Sequence, residues 1–282
     1  MQLFLFYLAI VPTLFIFYFS IFFRKKKRED VDICLMLFFF GCMSALPAYM
    51  LELLYSYFEI QFQDWAINFL ISQEIKVFLS TLFGIAIIEE SCKLAVVRIY
   101  AYPQIKIKSI YDAIVYSVLV SIGFASIENL IYVYVYSDED MQFQIALMRM
   151  ISAVPAHALM GIFMGYYIGK AKLNEEIRVR SYQLSFLIPV FIHTGYDYFL
   201  LLPGSSSMYS FIILAVFTIF AVVLIRSDKT HLVADDNSVI LSKSRLGALT
   251  KSTEGRSSNH GSPNSQVCAK CNVDRYGNHP QK

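Results

Sequence analysis

The chain has 282 residues, of which 56 % are hydrophobic and only 16 % charged, against roughly 45–50 % and 25 % in soluble domains. A soluble protein of this size has no way to bury that much apolar surface and still cover itself with polar groups, so the composition specifies an integral membrane protein. A net charge of +2 carries no signature of a nucleic-acid partner; what matters is where the few charges sit, because a bilayer makes each one costly.

Seven apolar segments follow one another, near 2–23, 32–58, 75–100, 109–136, 145–170, 182–202 and 207–226. Each is about 20 residues or longer, enough to cross a hydrocarbon core as a helix. None alternates as a barrel strand would. The fold expected is an all-α polytopic bundle over residues 1–228. The first segment lacks a basic n-region and a small-x-small cleavage site, so it reads as a span and not a cleaved leader.

The run Arg24–Lys25–Lys26–Lys27–Arg28 follows span one. Lys106 and Lys108 lie between spans three and four; Lys170, Lys172, Arg178 and Arg180 lie between five and six; Arg226 and Lys229 follow span seven. The alternate loops are acidic or neutral, with Glu59, Asp64 and Glu74 in one and Asp138, Glu139 and Asp140 in another. The positive-inside rule then puts the N-terminus outside and the C-terminus in the cytoplasm of a multi-pass cell-membrane protein. Segment 60–74, with Trp65 and Phe69 among polar residues, reads equally as an interfacial helix or a plain loop.

Residues 229–282 are rich in Ser, Asn, Gly and Lys without apolar periodicity, and read as a disordered cytoplasmic tail. The tail carries His260, Cys268, Cys271 and His279, half of a zinc-knuckle pattern. Cys34, Cys42 and Cys92 lie in apolar stretches and, with an odd total of five, describe no disulfide framework.

Ionisable residues inside the spans carry the functional signal. They are Glu52 in span two, Glu89, Glu90 and Lys93 in three, Glu128 in four, His157 in five, and His193 and Asp197 in six. At about 2.5–3.5 kcal/mol each, half a dozen cost on the order of 15 kcal/mol, so they must pair or line a wet cavity. Lys93 is i+4 from Glu89 and i+3 from Glu90, within reach of both. His193 and Asp197 are i, i+4 and share a face, where the carboxylate can fix the imidazole tautomer. Asn129 adjoins Glu128, and Tyr132 follows one turn on. Counted at about 1.5 Å per residue, Glu128, His157 and His193 lie roughly 12–15 Å below the outer surface, and Glu90 roughly 20 Å. Taken singly, Glu52 reads as a structural pair or an interfacial group. Arg98 reads as a snorkelling side chain, and the many Phe and Tyr as lipid-facing packing.

Two chemistries fit this layer. In one, a glutamate is the general base for water and the histidines stabilise the oxyanion. In the other, His157, His193 and Glu128 hold Zn2+ and a free glutamate is the base. The soluble H-E-x-x-H signature is absent. A carboxylate–histidine layer would also serve a proton- or ion-coupled transporter, the rival reading of another class.

Four stretches taken in order resemble the PrsW family of intramembrane proteases, within the group that includes type II CAAX prenyl proteases. They are IIEESCK in span three, GFASIENLIY in four, PAHALMGIFMGYYIG in five and IHTGYDYFLL in six. The resemblance covers 75–202. It implies a protease core of Glu89, Glu90, Glu128 and His157, completed by His193 and Asp197 and supported by Lys93, Asn129 and Tyr132. Members are described both as metalloproteases and as glutamic-type enzymes, so a metal and no cofactor are both compatible with it. It implies a single-span membrane protein as substrate; PrsW-like proteins are associated with outer-side cleavage of a membrane-anchored anti-sigma factor. The E-E-x-x-x-R pattern of CAAX relatives is not met, because Leu94 stands at the arginine position.

Overall fold

The computed structural model describes residues 2–22, 31–63, 72–104, 107–204 and 208–227. Residues 228–282, including the candidate zinc knuckle, and most of the proposed interfacial segment with Trp65 and Phe69 lie outside the described residues. The described residues are helical with no strand among them. The elements are α1 (Gln2–Phe22), α2 (Val31–Gln63), α3 (73–101), α4 (Ile110–Tyr134), α5 (Gln142–Ile151), α6 (Ala153–Leu173), α7 (Arg178–Leu201) and α8 (Met208–Ser227).

Six helical stretches are long and apolar enough to cross a membrane: α1, α2, α4, α5 with α6, α7 and α8. The third expected span is α3, a run of helical pieces in which Ser80–Ala86 and Val97–Ala101 are wound as π-helix. The wider turn at 80–86 ends three residues before Glu89, and π-turns inside helices often accompany functional groups.

The fifth expected span differs from its reading as one helix. It divides at Ser152 into α5 and α6. The cause is Pro155, which has no N–H to donate and whose ring presses on the carbonyl four residues back, at Ile151. The ladder resumes with Ala156 N–H donating to Ser152 O at 2.9 Å.

The centre of the bundle is α4, with 83 % of its most apolar window buried, against 17 % for α1 and for α8. Its start is set by a capping box. Ser109 Oγ accepts from the Asp112 amide at 3.2 Å, and Asp112 Oδ2 accepts from the Ser109 amide at 3.0 Å. Two faces of α4 are covered closely because glycines let backbones approach. A Cβ on Gly123 would lie 2.2 Å from Phe38 O of α2, and one on Gly165 of α6 would lie 2.5 Å from Ile114 Cα.

Tyr134 Oη donates to Gln2 O at 2.9 Å, bringing the start of α1 and the end of α4 to one end of the bundle. Lys172 Nζ donates to Tyr102 O and Gln104 O, bringing the end of α6 to the α3–α4 turn at the other.

Candidate active site

α3, α4, α6 and α7 each bring part of the ionisable set to one place. On α3, Glu89 and Lys93 stand one turn apart, and Glu90 turns toward the same ammonium. Lys93 Nζ lies 2.6 Å from Glu90 Oε1 and 3.2 Å from Glu89 Oε2. It also lies 3.1 Å from His157 Nδ1, with the Phe124 ring centre at 4.5 Å. Lys93 and Glu90 are wholly excluded from solvent, and Glu89 nearly so.

From α7, His193 Nδ1 sits 3.0 Å from Glu90 Oε1, and its Nε2 sits 3.1 Å from Asp197 Oδ2. The i, i+4 pair expected from spacing is therefore made, and Glu90 joins it from 103 residues away. From α6, His157 Nε2 lies 2.5 Å from Glu128 Oε2 of α4. The two imidazoles stand edge to face with centroids 5.7 Å apart. Asn129 Nδ2 donates to Ala9 O of α1 at 3.1 Å.

Seven of the residues singled out in the sequence, Glu89, Glu90, Lys93, Glu128, His157, His193 and Asp197, thus meet around one centre, and Asn129 ties its margin to α1. Three more join them. Arg149 of α5 pairs through Nη2 with Glu128 Oε1 at 2.7 Å, and its Nε donates to Asn129 Oδ1 at 2.8 Å. Its guanidinium carbon lies 3.9 Å from the centre of the Tyr132 ring. Arg149 falls inside the fifth expected span, and its charge there was the available signal. Tyr196 Oη donates to Ser152 Oγ at 2.9 Å, tying α7 to the break between α5 and α6. No sequence signal marks that contact. Glu52 of α2 lines a small cavity of about 10 Å³ together with Glu89, Glu128 and Tyr132. It faces the site from behind, where the sequence suggested a structural pair or an interfacial group.

A larger cavity of about 410 Å³ opens onto Glu128, His157, His193 and Asp197. Ile145 and Met148 of α5 and Leu200 and Leu201 of α7 complete it with apolar surface.

The donor set fits a metal ion. Two groups of three have donor atoms within 4.8 Å of one another: Glu89, Glu90 and His193, and Glu89, Glu128 and His157. Glu89 belongs to both, while His157 and His193 fall in different groups. Glu89 Oε2, Glu90 Oε2 and Glu128 Oε2 are buried and accept no aligned hydrogen bond, although Lys93 and His157 lie within ion-pair range of the first and third. Buried carboxylate oxygens in that condition call for an ion or a water.

The sequence profile of the PrsW family intramembrane metalloproteases matches residues 29–225. The chain belongs to the PrsW family. It is 33 % identical over 187 residues to Protease PrsW of Oceanobacillus iheyensis, covering 66 % of this chain and 78 % of that one. It is 30 % identical to Protease PrsW of Bacillus subtilis, covering 64 % and 76 %. It is 34 % identical to Protease PrsW of Geobacillus kaustophilus, covering 63 % and 71 %. No solved structure matches it. As a PrsW-family member the protein is an intramembrane protease and a multi-pass membrane protein, and the profile takes in every residue of the carboxylate–histidine cluster.

Proposed function

We propose that the protein is an endopeptidase that cuts a single-span membrane protein at the carboxylate–histidine cluster, with a metal held by Glu89, Glu128 and His157. The observation that carries this is the convergence of those three donors, with Glu128 and His157 lining the cavity and buried carboxylate oxygens left without aligned hydrogen bonds. The other group shares Glu89, but its Glu90 does not line the cavity. Two carboxylates and an imidazole match the donor preferences of Zn2+. Such an ion supplies Lewis-acid stabilisation of the charge that develops on the scissile carbonyl oxygen.

The chain's own groups do the rest. The substrate helix unwinds so that a short extended stretch enters between α5 and α7, because a peptide bond inside a helix is shielded by its neighbours and its hydrogen bonds. Asp197, which lines the cavity and is oriented by His193, takes a proton from the attacking water as its oxygen adds to the carbonyl carbon. It then delivers the proton to the leaving amine as the C–N bond breaks. Lys93 neutralises the carboxylate pair on α3 and keeps Glu90 in place for His193. The anti-sigma factor suggested by the family resemblance is the first substrate to try.

A second reading is favoured by Lys93 itself. Its ammonium already supplies positive charge 3.1 Å from His157. Glu89 would then be the general base, with no metal required. One experiment separates the two: metal analysis of the purified protein, with cleavage of a membrane-anchored substrate before and after chelation. The metal reading expects one equivalent of metal, loss of cleavage on chelation, recovery on adding Zn2+, and loss of the metal in Glu89→Gln. Full cleavage by metal-free protein overturns it and selects the glutamate reading. In either case His193→Ala, which removes the partner that orients Asp197 and Glu90, is expected to lower turnover by about 10- to 100-fold.

A further inference from the structure

Arg149 is the buried charge that the proposed mechanism leaves unused. It stands on α5, a helix of 10 residues cut off from α6 by the break at Ser152. Its side chain is only 14 % exposed. Nη2 lies in ion-pair range of Glu128 Oε1 at 2.7 Å without an aligned hydrogen bond, Nε donates to Asn129 Oδ1, and one face of the guanidinium covers the Tyr132 ring. Asn129 in turn holds the Ala9 carbonyl of α1. The partners are thus a carboxylate, an amide and a ring, all from α4.

Glu128 has two oxygens with separate fates. Oε1 meets Arg149, and Oε2 meets His157 at the cavity. A carboxylate on a helix can turn about its last bonds. Gripping one oxygen decides where the other points.

We infer that Arg149 is the positioning residue that clamps Glu128, so that Glu128 Oε2 is presented to His157 and the reacting centre. Arg149 also lines the cavity beside Glu128, so the KM readout below separates a clamp from a substrate contact. The clamp acts whether Glu128 ligates an ion or contacts His157 alone. Outer partners that orient a reacting carboxylate or ligand typically contribute 10- to 100-fold in activity or affinity. The inference rests on the reading that Glu128 belongs to the catalytic site, and the test keeps the two apart.

The test is steady-state cleavage of one membrane-anchored substrate by full-length Arg149→Ala, Arg149→Lys, Glu128→Gln and the Arg149→Ala/Glu128→Gln double variant. Arg149→Ala is expected to lower kcat about 10- to 100-fold with KM changed less than about twofold. Lysine keeps the charge but reaches one partner instead of two, so Arg149→Lys is expected to fall between, about three- to tenfold below wild type. The double variant is expected to be no slower than Glu128→Gln alone. Full turnover by Glu128→Gln overturns the site reading itself. Full turnover by Arg149→Ala beside an impaired Glu128→Gln overturns only the clamp. So does a rise in KM at constant kcat, which marks a substrate contact, or independent losses that multiply. Should Arg149→Ala fail to fold, Arg149→Lys decides: a kcat equal to wild type overturns the clamp.

Discussion

α4 and α6 run side by side through two regions of opposite character. Along Gly161, Gly165 and Gly169 the helices touch backbone to backbone. One end of the same pair carries Glu128 and His157, with a cavity of about 410 Å³ beside them. At the seam, a Cβ on Gly161 would lie 2.8 Å from Ser121 Oγ, and one on Gly169 would lie 2.9 Å from Ile110 Cα. At the site there is room for added atoms but a dense network of paired charges. The seam should therefore fail when volume is added, and the site when charge is removed. A rigid, volume-limited seam also explains how groups from separate helices are held at hydrogen-bond distances inside a membrane.

The largest effect is expected from charge removal. Lys93 is the cation shared by Glu89 and Glu90, and it is fully buried. Lys93→Met leaves those carboxylates without it. Breaking a buried pair from one side costs about 3–5 kcal/mol, and removing both partners costs far less. In detergent, Lys93→Met should melt far below wild type, and Lys93→Met/Glu90→Gln should recover most of the loss. A Lys93→Met protein that melts like wild type would break the comparison at the site end.

Volume added to the seam comes next. Alanine at Gly165 would place Cβ 2.5 Å from Ile114 Cα and 2.6 Å from Ala113 O, both backbone atoms that cannot rotate away. Overpacking of this kind costs about 1–3 kcal/mol. Gly165→Ala should lower the melting temperature while the folded fraction keeps its turnover. Unchanged stability would mean that the seam is looser than its geometry.

These two regions were unequally legible. The cost of charge in a bilayer made Glu89, Glu90, Glu128, His157, His193 and Asp197 conspicuous in apolar spans, and spacing alone gave Lys93 both glutamates and His193 its aspartate. Spacing says nothing across helices. The contacts of His193 with Glu90 and of His157 with Glu128 come from packing, so the division of the donors into two groups sharing Glu89 was not available. Arg149 escaped notice because a cation in the first turn of a span resembles an interfacial residue, and only the break at Ser152 gives it a separate helix. The bundle's helical class followed from hydropathy. The π-helical turn before Glu89 leaves no mark in composition.

The smallest effect is expected where a glycine sits beside the site but outside the seam. Gly195 lies between His193 and Asp197 on α7. Two residues along a helix is a rotation of about 200°, so Gly195 faces away from the imidazole that precedes it. A Cβ there meets only Ile213 Cδ1 of α8, at 3.3 Å. That atom is the free end of a side chain and needs to give by only a few tenths of an ångström. Alanine gains up to about 1 kcal/mol in helix propensity over glycine, which offsets the contact. Gly195→Ala should therefore stay within about 0.5 kcal/mol of wild type, in the range of substitutions away from special features, and turn over substrate at the same rate. A loss as large as that of Gly165→Ala would show that α7 and α8 form a second volume-limited seam. Rigidity around His193 would then come from both sides of α7, and the contrast between seam and site would no longer be confined to α4 and α6.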